Sequence, residues 1–245
     1  DAGAYLHGKL GKKKRKQADM EKRKAVIFDM DGVLFDTERV CEASWVAVAE
    51  KHGLPGMKEI FPKCIGRNAN DSKKIVLAAY GEDFDYDAFR RETGEWFWND
   101  IEEKGLPVMP GVQELLSWLS GEGWKIGLAS STKQSSVLRH LEQAKIRDYF
   151  SILVTGDMVE HSKPEPDIYL KACAALGTKP EETYAIEDSP NGIRSAYRAG
   201  MIPVMVPDMI APDEEMRELS AKICGSLPEV LEFLRREDSH GKSRN

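Results

Sequence analysis

A chain of 245 residues, 41% of them hydrophobic, is long enough to bury one sizeable core, or one core carrying an insertion. With 31% charged residues and no apolar run near the ~20 residues that a membrane-spanning helix needs, a helical membrane protein is excluded and a soluble one expected. The formal net charge of −6 argues against nucleic acid as the main partner.

That charge is unevenly spread. Residues 1–24 carry Lys9, Lys12, Lys13, Lys14, Arg15, Lys16, Lys22, Arg23 and Lys24 against Asp1, Asp19 and Glu21, a balance of +6 that leaves −12 for the rest. The run from Lys12 to Lys16 could form a nucleic-acid patch. Residues 1–23 are instead expected to be a disordered basic leader or tag, without the apolar stretch of a secretory signal. Cys41, Cys64, Cys173 and Cys224 are far apart with no C-x-x-C pair, and the histidines are equally scattered, so neither a disulfide framework nor a zinc cluster is indicated. A reducing, cytoplasmic setting is expected.

The first strong element is Lys24-Ala25-Val26-Ile27-Phe28, a continuous apolar run of the kind found in a strand covered on both faces. It ends in Asp29-Met30-Asp31-Gly32. From about Thr37 to Pro107 no strand is evident. Amphipathic helical stretches hold Trp45, Val48 and Ala49, then Ile75, Val76, Leu77 and Tyr80, then Phe89, Trp96, Phe97 and Ile101. A structureless loop of that length is improbable in a compact domain, so residues 37–107 are expected to form a helical cap. Further short apolar runs follow at 125–129, 151–154, 183–186 and 201–206. Helical patterns at about 111–121, 133–144, 166–176, 189–199 and 212–220 separate or follow them. Such alternation predicts a parallel sheet with helices on both faces, built from 24–36 and 108–236 and followed by a frayed tail at 237–245. Ligands of such sheets bind beyond the carboxyl ends of the strands, where a cap inserted after Asp31 would act as a lid.

Four polar clusters lie at those strand ends, and each has an ordinary explanation. Asp-Gly between apolar runs also signals a hairpin; alternatively, Asp29 and Asp31 reach one site, one attacking phosphorus while the other shuttles a proton. Ser130-Ser131-Thr132 could cap a helix or cradle a phosphate. Lys163, between Ser162 and Pro164, could be a solvated lysine or a fixed ammonium that neutralises developing charge. Glu187-Asp188-Ser189-Pro190 could be a helix start or a magnesium site, which wants hard oxygen ligands. Coincidental caps do not account for the ordered series. A carboxylate cannot approach a phosphoryl dianion without cation and hydrogen-bond neutralisation, and this set supplies both.

The order Asp29-Met30-Asp31-Gly32-Val33, Ser130, Lys163-Pro164 and Glu187-Asp188 resembles the four signature motifs of the haloacid dehalogenase superfamily, over roughly residues 24–235. The insertion and Ser189-Pro190-Asn191-Gly192-Ile193 resemble its branch of beta-phosphoglucomutase and sugar-phosphate phosphatases. The resemblance implies an α/β fold, with a Rossmann-like parallel sheet core and an inserted α-helical cap. It implies that Asp29 forms an aspartyl-phosphate, Asp31 acts as acid and base, and Ser130 holds the transferring group with Ser131 and Thr132 nearby. Lys163 would balance charge. Mg2+ would be held by Asp29, the backbone carbonyl of Asp31 and Asp188, with Glu187 supporting. Dehalogenases and phosphonate hydrolases of the superfamily resemble this pattern without the second aspartate.

A magnesium-dependent phosphatase acting on a small phosphorylated metabolite, a sugar phosphate by analogy, is therefore expected, with a monomer as the default. Aligning Asp36-Thr37 with the mutase's Asp-Thr turn puts Cys41 where the mutase has a histidine, which weighs against a phosphomutase. Arg67, in a Gly66-Arg67-Asn68 loop, is the candidate cap residue for substrate, with Asn68, Arg90, Arg91, Trp96 and Trp98 behind it. A non-catalytic binding protein of the same fold would have no turnover to lose on chelation.

Overall fold

The computed structural model describes residues 25–242, with side chains described through residue 239; the expected leader at 1–23 lies outside the described residues. Six parallel strands form one sheet: β1 (Ala25–Phe28), β2 (Lys125–Ser130), β3 (Ile152–Thr155), β4 (Thr183–Glu187), β5 (Ile202–Met205) and β6 (Lys222–Ile223), in the order β3-β2-β1-β4-β5-β6. The expected α/β fold is thus present. The short edge strand β6 has no counterpart among the apolar runs.

Both faces of the sheet are covered, and this is why its strands read as unbroken apolar runs. Val26, Phe28, Ile126, Leu128, Tyr184 and Ile186 face one side. There they meet α5 (Val112–Gly121), α6 (Gln134–Gln143) and α10 (Leu227–Lys242). Ala25, Ile27, Ala129 and Ala185 face the other. Their partners are α7 (Asp167–Leu176) and α8 (Pro190–Arg198). One further helix, α9 (Glu214–Leu219), packs Met216 on Met205 and Ile193. The tail expected from 237 is instead helical through Lys242, because α10 carries Leu227, Val230 and Leu234 on one buried face.

Between β1 and β2 lie α1 (Thr37–Lys51), α2 (Met57–Ile60), α3 (Ala69–Tyr80) and α4 (Tyr86–Lys104). They pack around their own cluster of Trp45, Val48, Met57, Phe61, Val76 and Phe89. Among the described residues no helix is long and apolar enough to cross a membrane.

Register positions the chemistry. Phe28 pairs with Leu128 on β2 and with Ile186 on β4. One residue further on, Asp29, Ala129 and Glu187 therefore stand side by side at the carboxyl end of the sheet, with neighbouring strands about 4.8 Å apart. The Asp29 amide donates to the Ile186 carbonyl at 2.9 Å and closes that row.

Candidate active site

Beyond Asp29 the chain turns tightly rather than forming a two-stranded hairpin. The Met30 carbonyl accepts from the Leu34 amide at 2.8 Å, and Phe35 bridges to Val108, where the chain returns from the helical insertion. Gly32 adopts a left-handed φ of +80°, and a Cβ there would lie 2.4 Å from Asp188 Oδ2. A side chain at this turn would displace the Asp188 carboxylate.

Lys163 is not a solvated loop lysine: it is 1% exposed. Its Nζ donates to Asp29 Oδ1 and to Glu187 Oε1, each at 2.6 Å, and to the Ala129 carbonyl at 3.2 Å. Burial opposes its charge, but Asp29 and Glu187 hold the ammonium above its ordinary value. Glu187 is fixed from several directions. Its Oε1 also accepts from the Tyr169 hydroxyl at 2.6 Å, and its Oε2 accepts from Ser189 Oγ at 3.4 Å. A Cβ on Gly192 would come within 1.9 Å of that carboxylate, so α8 approaches it as closely as a helix can.

Asp29, Glu187 and Asp188 are all buried, and each offers an oxygen within 4.8 Å of the other two. Burial pushes Asp29 up to about 8, against the pull of Lys163. Burial, then repulsion from Glu187 and Asp29, holds Asp188 well above the usual carboxylate range. Three carboxylates thus share one buried ammonium. Such an acidic cluster of hard oxygens fits a divalent cation like magnesium. Asp29 and Asp188 are better placed to ligate than Glu187, whose two oxygens both accept protein hydrogen bonds.

The second aspartate faces elsewhere. Asp31 Oδ1 accepts from Thr37 Oγ1 at 2.5 Å, and Oδ2 accepts from Thr132 Oγ1 at 2.7 Å and Ser130 Oγ at 3.4 Å. Its carboxylate is therefore held by hydroxyls, apart from the Asp29–Glu187–Asp188 group. The helix-cap explanation for Ser130-Ser131-Thr132 fails: α6 starts at Gln134, after an N-cap at Lys133 with no side-chain cap bond. Ser130 ends β2, fully buried, and its Oγ accepts from the Thr132 amide at 3.1 Å. Ser131 Oγ instead donates to the Gly66 carbonyl at 2.9 Å, joining this loop to the helical insertion. Ser189 does cap α8, accepting from the Gly192 amide at 3.1 Å, so helix start and site coexist there.

A cavity of about 1090 Å³ opens between the sheet end and the inserted helices. Asp29 and Asp31 form its floor, and Glu38, Cys41, Arg67, Arg90, Trp98 and His140 are in its walls. Arg67 lines it as expected, although its Nε is used on the Lys63 carbonyl at 3.1 Å. The insertion sits down on the core through Asn191 Nδ2, which donates to the Ile65 carbonyl at 3.1 Å, and through Ser162 Oγ, which donates to Asp71.

Several groups here were not singled out from sequence. Thr37 and Glu38 directly follow Asp36, and that turn was the available signal. Burial and the nearby Asp31 and Asp29 push Glu38 well above its ordinary range. Tyr169 and His140 sit on helices whose patterns read as ordinary core, and nothing local distinguishes them.

Comparison with known proteins agrees with this fold. The profile described as haloacid dehalogenase-like hydrolase matches residues 26–206. The chain is 34% identical over 177 residues to the phosphorylated carbohydrates phosphatase of Thermotoga maritima, covering 72% of this chain and 82% of that one. It is 33% identical over 226 residues to the beta-phosphoglucomutase of Bacillus subtilis, covering 88% of this chain and 99% of that one. Its fold resembles the crystal structure of beta-phosphoglucomutase from Clostridium difficile, with a TM-score of 0.76 at 24% identity over 89% of this chain and 97% of that one.

Proposed function

The chain belongs to the haloacid dehalogenase-like hydrolase family, and from that premise we propose that it is a magnesium-dependent phosphatase of small phosphate monoesters, sugar phosphates above all, working through an aspartyl-phosphate on Asp29. One observation carries this reading. Asp29 lies at the floor of the cavity between sheet and inserted helices, bonded to Lys163 and flanked by Asp188, with Asp31 held separately two residues on.

In the first step an Asp29 carboxylate oxygen attacks phosphorus, and the bond from phosphorus to the alcohol oxygen breaks. Asp31, oriented by Thr37 and Thr132, gives its proton to that leaving oxygen. Ser130 and the backbone after β2 steady the phosphoryl oxygens, and Lys163 balances their charge. In the second step a water attacks phosphorus while Asp31 takes its proton. The bond from phosphorus to Asp29 breaks, restoring the carboxylate and releasing orthophosphate. Magnesium, held by Asp29, the Asp31 backbone carbonyl and Asp188 with Glu187 behind, would supply the positive charge that lets two anions meet. The helices of residues 37–107 serve as the lid that excludes water not positioned for reaction.

The substrate class is supported by the cavity's size and by wall groups suited to hydroxyls, Glu38 and Arg90 among them. The name of the Thermotoga maritima relative, which specifies phosphorylated carbohydrates, points the same way. A phosphomutase is the second reading, favoured by the near-complete overlap with the Bacillus subtilis enzyme. Against it stands Cys41, at the position of the mutase histidine. Burial pushes its thiol up to about 12, so it holds its proton at neutral pH and cannot relay it.

Phosphorus NMR of the protein with magnesium and a panel of sugar phosphates, including beta-glucose 1-phosphate with a trace of glucose 1,6-bisphosphate, separates these readings. Free phosphate should accumulate, and should stop accumulating on chelation and in Asp29→Asn, whose circular dichroism stays native. Glucose 6-phosphate growing without free phosphate would instead establish the mutase.

A further inference from the structure

His140 is a polar side chain that the mechanism does not use. It is 2% exposed and belongs to the cavity wall, with both ring nitrogens sealed inside that wall and without a hydrogen-bond partner. Its neighbours are aromatic. Phe35 of the core lies 5.7 Å away between ring centroids, and Phe97 and Trp98 of α4 lie 5.9 and 5.0 Å away. None of these rings satisfies the acceptor nitrogen of the imidazole. Burial lowers its proton affinity, leaving a neutral ring with one donor and one acceptor. Packing alone would be served better by leucine, because a buried polar group without a partner costs free energy.

The two helices that flank the ring are fixed to each other. The adjacent Arg139 stacks its guanidinium 3.6 Å above the Trp98 ring and bonds Glu102 at 2.8 Å, clamping α6 to α4 beside the imidazole. His140 lies on the Asp31 side of the cavity, since it packs on Phe35, whose backbone bridges to Asp31. On the mechanism above, Asp31 protonates the leaving oxygen. The first carbons of the leaving alcohol must then lie on this same side.

We propose that His140 is a specificity-determining residue, which turns a ring nitrogen out of the wall to hydrogen-bond a hydroxyl on the leaving alcohol close to the ester oxygen and so selects polyhydroxylated leaving groups over their deoxy counterparts. This rests on the phosphatase reading for the direction of the leaving group. A site built to bond a hydroxyl discriminates against the analogue that lacks it, because its own polar group is then left unpaired.

The test compares a hexitol 1-phosphate with its 2-deoxy counterpart on wild type, His140→Leu and His140→Gln. Leucine fits among the three aromatic rings, so the variant should fold. In His140→Leu, kcat/KM for the hydroxylated ester should fall about 10- to 100-fold while that for the deoxy ester stays within a few-fold. His140→Gln, which keeps a donor and an acceptor, should recover part of the loss. An equal fall on both esters, or no fall on either, overturns the proposal. If wild type hydrolyses neither ester, the phosphatase reading is judged separately by the sugar-phosphate panel. The same ratio is then read as Kd by calorimetry on Asp29→Asn, where loss of preference for the hydroxylated ester in Asp29→Asn/His140→Leu supports the role and an unchanged preference ends it.

Discussion

At the scale of single residues, Lys163 sets the electrostatic state of the site. It is the buried ammonium that Asp29 and Glu187 share. Breaking a buried ion pair by removing one partner leaves an uncompensated charge and costs about 3–5 kcal/mol. Lys163→Met should therefore lose stability of that order in urea melts of the metal-free protein. The sign of its pH dependence follows from Asp29, whose carboxyl is raised from 3.8 to about 8 even with the lysine present. Between those values the folded protein binds a proton that the unfolded chain has released, so this group's contribution to stability falls as pH rises. Without Lys163 the fall should continue beyond about pH 8, so the variant's deficit should be smallest below that value and grow above it. A deficit constant across pH would contradict the account.

Asp31 is the other decisive residue. Its carboxyl, held by Thr37 and Thr132, should be worth at least ~10²-fold as acid and base. Asp31→Asn keeps the shape and removes the proton transfer, so kcat on an alkyl phosphate should drop by that factor; a rate within a few-fold of wild type would remove Asp31 from the mechanism. Both aspartates, Lys163 and the Glu187-Asp188 pair were legible in the sequence, because strand ends bearing acids and a lysine are unusual in combination. Thr37, Tyr169 and His140 were not. Each is an ordinary helix residue until the fold brings it to Asp31, to Glu187 or to the cavity.

At the scale of elements, the register of β1 between β2 and β4 converts three separate sequence motifs into one row. The continuous apolar runs revealed five of the strands, because a strand buried on both faces has no alternation to obscure it. The two-residue β6, with an exposed lysine, offered no such run. The last helix α10 has its apolar spacing at Leu227, Val230 and Leu234, but the polar stretch from residue 237 offers no apolar residue and reads as tail. The start of α8 serves two purposes, since Ser189 caps the helix and also donates to Glu187. Ser189→Ala should cost about 1 kcal/mol through the lost cap, read from the denaturation midpoint at unchanged m-value. No shift at all would mean that the cap bond contributes nothing.

At the scale of the whole molecule, the inserted helices have their own core yet rest on the catalytic loops. Gly66 takes the Ser131 hydroxyl, Ile65 takes Asn191, and Asp71 takes Ser162. Every one of these seats lies beside a signature motif, so the inserted helices are joined to the core at the site itself. That an insertion would cover Asp29 followed from its place in the chain. Which backbone groups it would grip did not, because those contacts join residues distant in sequence through atoms every residue has.

The central claim is that Asp29 carries the phosphoryl group, and acid quenching of a turnover followed by peptide mass spectrometry tests it most directly. With magnesium and a substrate ester, the peptide containing Asp29 should gain one phosphoryl group, located on that side chain and absent when Asn replaces Asp29. Phosphoryl on another residue, or steady hydrolysis by Asp29→Asn, would contradict the account.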